Sequence, residues 1–392
     1  MPAAITSIGA VTGHGLGRAR LLAAVLEGRS AIRPLTRFSA EGLCSSLAAE
    51  APPDAELLAV ARSLGPVAPE DRASRLALAA AAEALADRDL TPSARRGVVV
   101  GTTKGALERA TQAWEQGAPL PEDVLGMPAR TLAGVTGARG PVLTVSAACA
   151  SSAAALGEAL ALIDEGTCDE VIVGGTEALH AFVYRGFHAL KALSASPAAP
   201  FDAARSGLSL GEGAGVLVVE SVARARAAGR EVIAVLEGVG GSTDGFDQTA
   251  PDPSGAGLVV ACRRALARAG LGVESVGRYH AHGTATLHND RMEAAAHAVL
   301  FGGREVPVCG IKGSIGHTLG AAGVLDVAVG ALTLQRGVLP PIANLSRVDP
   351  AARVPAVEGR ARAGGGSVAL IANAGFGGIN AAVVLRRDAV AP

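Results

Sequence analysis

Side chains that could support nucleophilic chemistry occur at several places in this sequence, and Cys149 is the first. It stands among small residues where an extended apolar run, 142–145, gives way to a helix-like run from Ser151. A thiol at a helix N-terminus meets unpaired N–H groups and a positive dipole end, which lower its pKa and can hold an oxyanion. Free cysteine is also among the most buried residue types. Taken alone, this stretch favours Cys149 as core filler over nucleophile.

Four histidines crowd a second segment, where a strand-like run leads into a helix. His280 and His282 end the strand, His288 follows in an irregular segment, and His297 lies further along. Two histidines at this spacing on a strand share one face, which a metal site can use. A closed zinc site needs convergent ligands that the spacing does not assure. We interpret His288 and His297 as surface or helix decoration.

Two glycine-rich turns carry further candidates. The stretch CGIKGSIGHTLGAAG holds Lys312 and His317, and NAGFGGIN places Phe376 on flexible backbone. Each has an ordinary alternative: a solvated turn lysine, a core histidine, and an aromatic packing anchor rather than a moving gate. The GLSLG pattern around Ser209 is dismissed as a nucleophile elbow, because a strand follows it where a helix is required. The segment GVGGSTDG also lacks the third glycine of a dinucleotide-binding fingerprint.

The elements that must position these residues alternate between β-rich and Ala/Leu-rich runs. This alternation predicts an α/β protein with mostly parallel sheets. The predicted strands are Ala4–Ser7, Gly97–Val100, Leu143–Val145, Val171–Val173, Val216–Glu220, Val232–Glu237, Tyr279–Ala281, Val306–Cys309, Ser367–Ala372 and Ala381–Leu385. Three of the predicted helices are Ser151–Asp164, Gly255–Ala269 and Leu319–Gln335. Strands bunch in two places, which suggests two halves of similar plan.

Composition excludes several classes of function. The 392 residues carry a formal net charge of −1, so there is no electrostatic case for a nucleic-acid partner. The five cysteines are widely spaced without a CxxC pair, which argues against a disulfide framework and a thiolate zinc site. No signal peptide is visible, and no apolar run of about 18 residues occurs. We therefore expect a cytoplasmic protein that does not bind a membrane.

Taken together and in order, these motifs resemble a β-ketoacyl-acyl-carrier-protein synthase of the KAS I/II, elongating type. VSAACASS resembles the nucleophile loop, AHGTAT and IKGSIGHTLGAAG the two histidine motifs, and GFGGIN the gating loop. The resemblance extends to ITSIGAVT and PFDAARSGLSLGEGAGVLVVE, and so covers nearly the whole chain. It implies the α/β thiolase fold, in which two similar α/β halves form a five-layered αβαβα sandwich. Residues 1–225 would carry Cys149, and residues 226–392 would carry His282, Lys312 and His317.

The resemblance also implies a reaction, the decarboxylative Claisen condensation of an acyl group with malonyl-acyl carrier protein (ACP). Cys149 would carry the acyl group, and the N–H groups of Cys149 and Phe376 would hold the oxyanion. His282 and His317 would stabilise the enolate that forms as CO2 leaves, with electrostatic support from Lys312. No metal or resident cofactor is expected, because the phosphopantetheine arm arrives on the carrier protein.

Further residues acquire expected roles from the same resemblance. Thr284 and Thr286 would bind the phosphopantetheine arm, and Glu293 would orient neighbouring backbone and Lys312. Asp326 would give structural support, although the family usually has glutamate there. Lys104 stands near a position that lines the acyl pocket in the family, where a lysine would disfavour a long saturated chain. It would otherwise turn toward solvent or a dimer partner.

Several alternatives remain open at this stage. Expected partners are ACP, malonyl and acyl thioesters, and either a second copy or a chain-length-factor-like subunit. The pathway would be fatty acid or polyketide and polyene biosynthesis. A non-decarboxylating acyltransferase of the same fold is the main competing function. A thiolase would need a second cysteine near the C-terminus, and none follows Cys309. A non-catalytic chain-length factor would typically lack the active cysteine.

Overall fold

The computed structural model of the protein describes residues 2–66, 69 and 71–389. The strands are β1 (Ala3–Thr12), β2 (Gly15–Leu16), β3 (Arg33–Pro34), β4 (Leu47–Ala49), β5 (Arg96–Gly101), β6 (Val142–Val145), β7 (Glu170–Glu177), β8 (Leu210–Gly211), β9 (Gly213–Ser221), β10 (Ala234–Thr243), β11 (Arg278–His280), β12 (Val308–Cys309), β13 (Val338–Leu339), β14 (Arg362–Ala363), β15 (Val368–Gly375) and β16 (Ile379–Arg386). The helices are α1 (Arg18–Leu26), α2 (Asp54–Ala61), α3 (Arg72–Ala84), α4 (Leu107–Glu115), α5 (Met127–Thr136), α6 (Ser151–Asp164), α7 (Ala181–Ala189), α8 (Val222–Ala227), α9 (Ala256–Ala269), α10 (Leu287–Phe301), α11 (Lys312–Ile315) and α12 (Ala322–Gln335).

One continuous eleven-stranded sheet forms the centre of the fold; ten of its strands divide into two five-stranded sheets with the same topology, and the eleventh, β2, pairs with β1. The first has the order β6-β5-β7-β9-β1, and the second has the order β12-β11-β15-β16-β10. In each sheet, the second strand of that order is parallel to both of its neighbours, and the fourth is antiparallel to both. A short antiparallel ladder between β1 and β10 joins the two sheets.

Helices form three layers around these two sheets. Helices α6 and α12 pack between the sheets and touch strands of both. Helices α3 and α5 cover the outside of the first sheet, and α9 covers the outside of the second with α10 packed beside it. The middle layer is tight, because a Cβ added at Gly323 of α12 would lie 2.5 Å from the Ala153 nitrogen of α6. The result is the expected five-layered αβαβα sandwich of two similar halves.

Most predicted elements are confirmed, but the predicted strand directions are wrong. Each of the ten predicted strands overlaps a strand of the two sheets, and the helix predicted over Ser151–Asp164 has those limits. The sheets are mixed rather than mostly parallel, since β9 and β16 are antiparallel to their neighbours. Because helices cover both faces of each sheet, the antiparallel strands are buried on both sides. Their sequences are therefore continuous apolar runs, a pattern typical of parallel strands.

Strand β6 lies at the open edge of the first sheet. Its Val142 and Leu143 are 39% and 37% exposed, unlike the buried side chains of the neighbouring β5. No helix in the described part of the chain is long and apolar enough to cross a membrane.

Candidate active site

Cys149 lies in a tight turn between β6 and α6. The preceding Ala148 has a φ of 47°, a left-handed conformation that is uncommon for a residue with a Cβ. The Ser151 hydroxyl closes the turn, since it accepts from the Ala147 N–H at 2.9 Å and donates to the Ala148 carbonyl at 2.5 Å. The turn holds the Cys149 thiol close to the N-terminus of α6, where it is only 7% exposed.

Two histidines from the second half of the chain meet this thiol. His317 Nε2 lies 3.0 Å from Cys149 Sγ. The His282 ring is nearly perpendicular to the His317 ring, and their centroids are 5.2 Å apart. One ligand atom from each of these three residues lies within 4.8 Å of the others, so the group has a spacing that a metal ion could use. His280, the other member of the predicted metal pair, is not part of this group, and the expected absence of a metal stays a prediction.

Burial controls the protonation of these three groups. It lowers the pKa of both His282 and His317 well below the ordinary value, and the nearby Lys312 ammonium adds to this effect. Burial also raises the pKa of Cys149 to about 11, although Lys312, Lys104 and the Phe376 N–H act in the opposite direction. The lowered thiol pKa expected from a helix N-terminus is therefore outweighed by desolvation. The resting site holds a neutral thiol and two neutral imidazoles.

The Nδ1 atoms of His282 and His317 are buried and have no hydrogen-bond partner among the described residues. A proton on Nδ1 would leave a donor unpaired in the protein interior. A proton on Nε2 leaves only an acceptor lone pair unpaired, which native structures tolerate more readily. The surroundings thus favour the tautomer in which each Nε2 is the donor.

Lys312 and Glu293 support the two histidine segments in different ways. The Lys312 ammonium pairs with Asp326 at 3.0 Å, both groups are buried, and Asn373 donates to the same carboxylate oxygen at 3.0 Å. Glu293 accepts from the backbone N–H groups of His282 and Gly283 at 2.7 Å and 2.6 Å. Burial raises the pKa of Glu293 to about 7. Asp326 thus contacts Lys312 directly, whereas Glu293 holds the backbone at His282.

A cavity of about 380 Å³ leads from the surface to the thiol. Thr284 and Thr286 line it, and their hydroxyl oxygens are 3.0 Å apart. Phe376 also lines it, with its ring stacked on Phe187 at a centroid distance of 5.6 Å. A Cβ at Gly375 would lie 3.0 Å from the Cys149 nitrogen, so glycine lets the Phe376 loop approach the nucleophile turn.

Lys104 does not line this cavity. It follows β5 and is half-buried, and its backbone N–H donates to Glu177 at 3.1 Å. Together with Glu108, Glu177 and His180, it lines a smaller crevice. Its ammonium remains within electrostatic range of Cys149, as its effect on the thiol pKa shows.

Glu177, at the end of β7, is a buried acid that sequence reasoning missed. Its carboxylate accepts from the backbone N–H and hydroxyl of Thr103 at 2.8 Å and 2.6 Å, and from the Gly320 N–H at 3.0 Å. It therefore ties the loop after β5 to the turn that follows His317. Burial raises its pKa. The sequence did hold a signal for this residue, namely a single acid at the end of an apolar strand. A carboxylate there is expected to be buried, and buried carboxylates are rare without partners.

The two remaining histidines differ in their surroundings. His288 is exposed and lines the cavity near its opening. His297 is buried, lies edge-on to Tyr279, and places Nε2 3.0 Å from the Val306 carbonyl oxygen. The interpretation of His297 as surface or helix decoration was wrong, because its buried ring packs against Tyr279 and Phe301.

Comparison with known proteins places this geometry in a family. The β-ketoacyl synthase N-terminal domain model matches residues 1–225, and the C-terminal domain model matches residues 233–346. The chain is 35% identical to the tetracenomycin polyketide synthase ketoacyl synthase alpha subunit of Streptomyces glaucescens, over 98% of this chain and 96% of that protein. It is 33% identical to 3-oxoacyl-[acyl-carrier-protein] synthase 2 of Rhizobium meliloti, over 98% of both chains.

Solved structures agree with this assignment. The ishigamide ketosynthase/chain length factor superposes with a TM-score of 0.90 at 29% identity, over 99% of both chains. A β-ketoacyl synthase from Burkholderia phymatum gives a TM-score of 0.86 at 30% identity, again over 99% of both chains. The chain therefore belongs to the β-ketoacyl synthase family of acyl-transferring condensing enzymes.

Proposed function

We propose that the protein is a 3-oxoacyl-ACP synthase that condenses an acyl group on Cys149 with a malonyl thioester and releases CO2. The observation that carries this proposal is the contact of 3.0 Å between Cys149 Sγ and His317 Nε2, with the His282 ring beside them. A nucleophile and two neutral imidazole donors are thereby gathered at the base of one cavity.

Acylation of Cys149 is the first step. The sulfur attacks the thioester carbonyl of the incoming acyl carrier while His317 Nε2–H donates a hydrogen bond to it. The bond between that carbonyl and the carrier sulfur breaks, and the departing carrier thiolate takes up the proton that the Cys149 thiol has lost. The Phe376 N–H already interacts with the sulfur, as its effect on the thiol pKa indicates. Together with the Cys149 N–H, it would stabilise the oxyanion of the tetrahedral intermediate.

Decarboxylation and condensation follow on the same thiol-bound acyl group. The malonyl thioester loses CO2, and the negative charge that develops on its thioester oxygen is stabilised by donors at His282 and His317. Because both imidazoles remain neutral, they act as hydrogen-bond donors rather than as acids. The carbanion attacks the acyl carbonyl, the bond between that carbonyl and the Cys149 sulfur breaks, and the sulfur recovers a proton from solvent.

Thr284 and Thr286 would bind the part of the phosphopantetheine arm that lies between the thioester and the phosphate. Both threonines line the cavity, where their hydroxyls can hydrogen-bond the amides of the phosphopantetheine arm. The carrier would be an ACP, the carrier for which the Rhizobium meliloti relative is named. No resident cofactor is needed for any of these steps.

The exposed edge strand β6 supports a dimer as the working assembly. Val142 and Leu143 leave apolar surface and unpaired backbone at a sheet edge, which proteins usually cover. A second copy or a chain-length-factor-like subunit would serve, and the ishigamide ketosynthase/chain length factor favours the heterodimer. A polyketide or polyene product fits the relative that is named as a polyketide synthase ketoacyl synthase alpha subunit.

The deciding experiment measures CO2 release from malonyl-ACP in the presence of an acyl-ACP. The intact enzyme should release CO2 and form the 3-oxoacyl product, whereas Cys149→Ala and His317→Ala should not form the product. Intact mass spectrometry would identify which acyl group stays on Cys149. If Cys149 became acylated but no malonyl-carrier substrate lost CO2, the protein would instead be a non-decarboxylating acyltransferase.

A further inference from the structure

The lysines of this protein have an unusual distribution. Only three of the 35 lysine and arginine residues are lysines, namely Lys104, Lys191 and Lys312. Lys312 is buried beside the catalytic histidines, and Lys104 lies within electrostatic range of Cys149. Lys191 lines the same cavity as the thiol, but its side chain is exposed. All three ammonium groups therefore lie around one site, and the third has no role in the steps above.

Between His282 and His288, the residues that line the cavity become more exposed along the chain. His282 and Thr284 are only 2% and 6% exposed, Leu287 is 45% exposed, and His288 follows it on α10. Buried residues of this segment mark the base, and exposed residues mark the mouth. Lys191 is exposed and lines the same cavity, so it belongs to the mouth together with His288.

The backbone of Lys191 has a conformation that is unfavourable for a residue with a side chain. It follows the C-cap residue Leu190 of α7 and has a φ of 54°, in the left-handed region that glycine normally occupies after a helix. Within the described part of the chain, no carboxylate forms an ion pair with its ammonium. A strained backbone that presents an unpaired cation at a cavity mouth is a reason to look for an anionic ligand.

The substrate of the proposed reaction supplies one anion at a fixed place. The carrier arm consists of the thioester, two amides and then a phosphate, so the phosphate is the part farthest from the reacting carbon. With the thioester at Cys149 and the amides at the two threonines, the phosphate reaches the mouth. We propose that Lys191, with His288 on the α10 side, binds the phosphate of the carrier arm, an inference that rests on the proposed function.

Small-molecule thioesters test this assignment without the carrier protein. The same acyl group is offered as a pantetheine thioester and as a 4′-phosphopantetheine thioester, and the rate of Cys149 acylation is followed by intact mass spectrometry. At low substrate concentration, we expect the wild type to prefer the phosphorylated form by about threefold to tenfold, as an exposed charge-assisted hydrogen bond allows. The preference should decrease as salt is added.

The variants are judged by the ratio of the two rates. Lys191→Gln should bring the ratio close to one, and Lys191→Arg should retain most of it. Arg185→Gln removes a positive charge from the exposed surface of the same helix, away from the cavity lining, and should keep the wild-type ratio. These results together would support the phosphate site.

Other outcomes would overturn the assignment. A ratio near one in the wild type, or an unchanged ratio in Lys191→Gln, would exclude a phosphate site. A lower melting temperature with an unchanged ratio would assign Lys191 to stabilising the C-terminus of α7. A loss seen only with intact ACP would assign it to protein docking. Absence of acylation by both thioesters and by acyl-ACP would refute the proposed function itself.

Discussion

The two halves of this molecule share a strand order but differ in the loops at corresponding places. The connection from β6 to α6 is residues 146–150 and carries the nucleophile Cys149. The corresponding connection from β12 to α12 is residues 310–321 and carries Lys312 and His317. The short connection makes one strained turn, and the longer one has room for α11 and a second turn.

The two halves also differ at the other two pairs of corresponding loops. After β11 come His282 and the two threonines, whereas after β5 come Thr103 and Lys104. After β15 comes the Phe376 loop, whereas β7 ends in the buried Glu177. The first half thus contributes Cys149 and a buried acid, and the second contributes the two histidines and the Phe376 loop. A repeated frame can specialise through its loops while its core stays the same.

The largest expected effect is on the nucleophile of the first half. Cys149→Ala should lower condensation by roughly 10⁴-fold or more, because Cys149 is the one thiol in the described part of the chain that is grouped with the two histidines. Product formation from acyl-ACP and malonyl-ACP, followed by chromatography, measures this. The exposed Cys44→Ala variant is the matched control and should stay within about twofold of wild type. Retention of a tenth of the activity by Cys149→Ala would contradict the assignment.

The next largest effect is on stability, and it concerns the buried ion pair between Lys312 and Asp326 in the second half. Lys312→Met leaves the buried Asp326 carboxylate without its cation, which should lower the free energy of unfolding by about 3–5 kcal/mol. Urea denaturation measures the change. Lys312→Met combined with Asp326→Asn should recover much of the loss, since no unpaired charge remains. A single variant that loses less than about 1 kcal/mol would show that the pair is not desolvated.

The two histidines should separate the two chemical steps. Either alanine variant should lower malonyl decarboxylation by about 10²- to 10³-fold, because each removes a donor from the enolate oxygen. Only His317→Ala should also slow acylation of Cys149, since His317 is the one of the two histidines that hydrogen-bonds the sulfur. Parallel measurement of CO2 release and of acyl-enzyme mass tests this. Equal slowing of acylation in both variants would show that the rings act as a unit.

The smallest expected effect comes from the buried acid of the first half. Glu177 raises the pKa of Cys149, so Glu177→Gln should move the pH profile of thiol alkylation to lower pH. Iodoacetamide labelling at pH 8 should become roughly two- to fivefold faster. The difference should shrink in acid, where Glu177 itself takes up a proton.

The control for this measurement is Glu158→Gln, which alters an exposed residue on α6 and should leave the alkylation profile unchanged. An unchanged profile in Glu177→Gln would mean that Glu177 only holds the loops. In the wild type, the alkylation rate should still be rising at pH 10, because the thiol pKa is about 11.

Much of this arrangement could be predicted from the sequence. The alternation of β-rich and helical runs located the strands of both sheets, and motif order located Cys149, His282, Lys312 and His317. These features are local, since each motif joins the end of a strand to the start of a helix. The boundary between residues 225 and 226 and the roles of the site residues stay predictions.

What the sequence did not predict depends on contacts between distant segments. Glu177 matters because Thr103 and Gly320 meet it, and neither is near it in the chain. The orientation of Lys104 away from the cavity depends on the same contacts. The raised pKa of Cys149 reflects how deeply the finished core buries it, which a helix-terminus argument omits.

The ladder between β1 and β10 has a consequence for any attempt to divide the protein. Ala3–Ile5 pair with Leu236–Ala234. The first strand of each half therefore forms the sheet edge that hydrogen-bonds to the other half. If either half were made alone, it would display that edge and the face that α6 and α12 now cover. We expect such a fragment to aggregate, or to recruit its missing counterpart when the two are co-expressed. The protein would then behave as a split enzyme whose activity reports on reassembly.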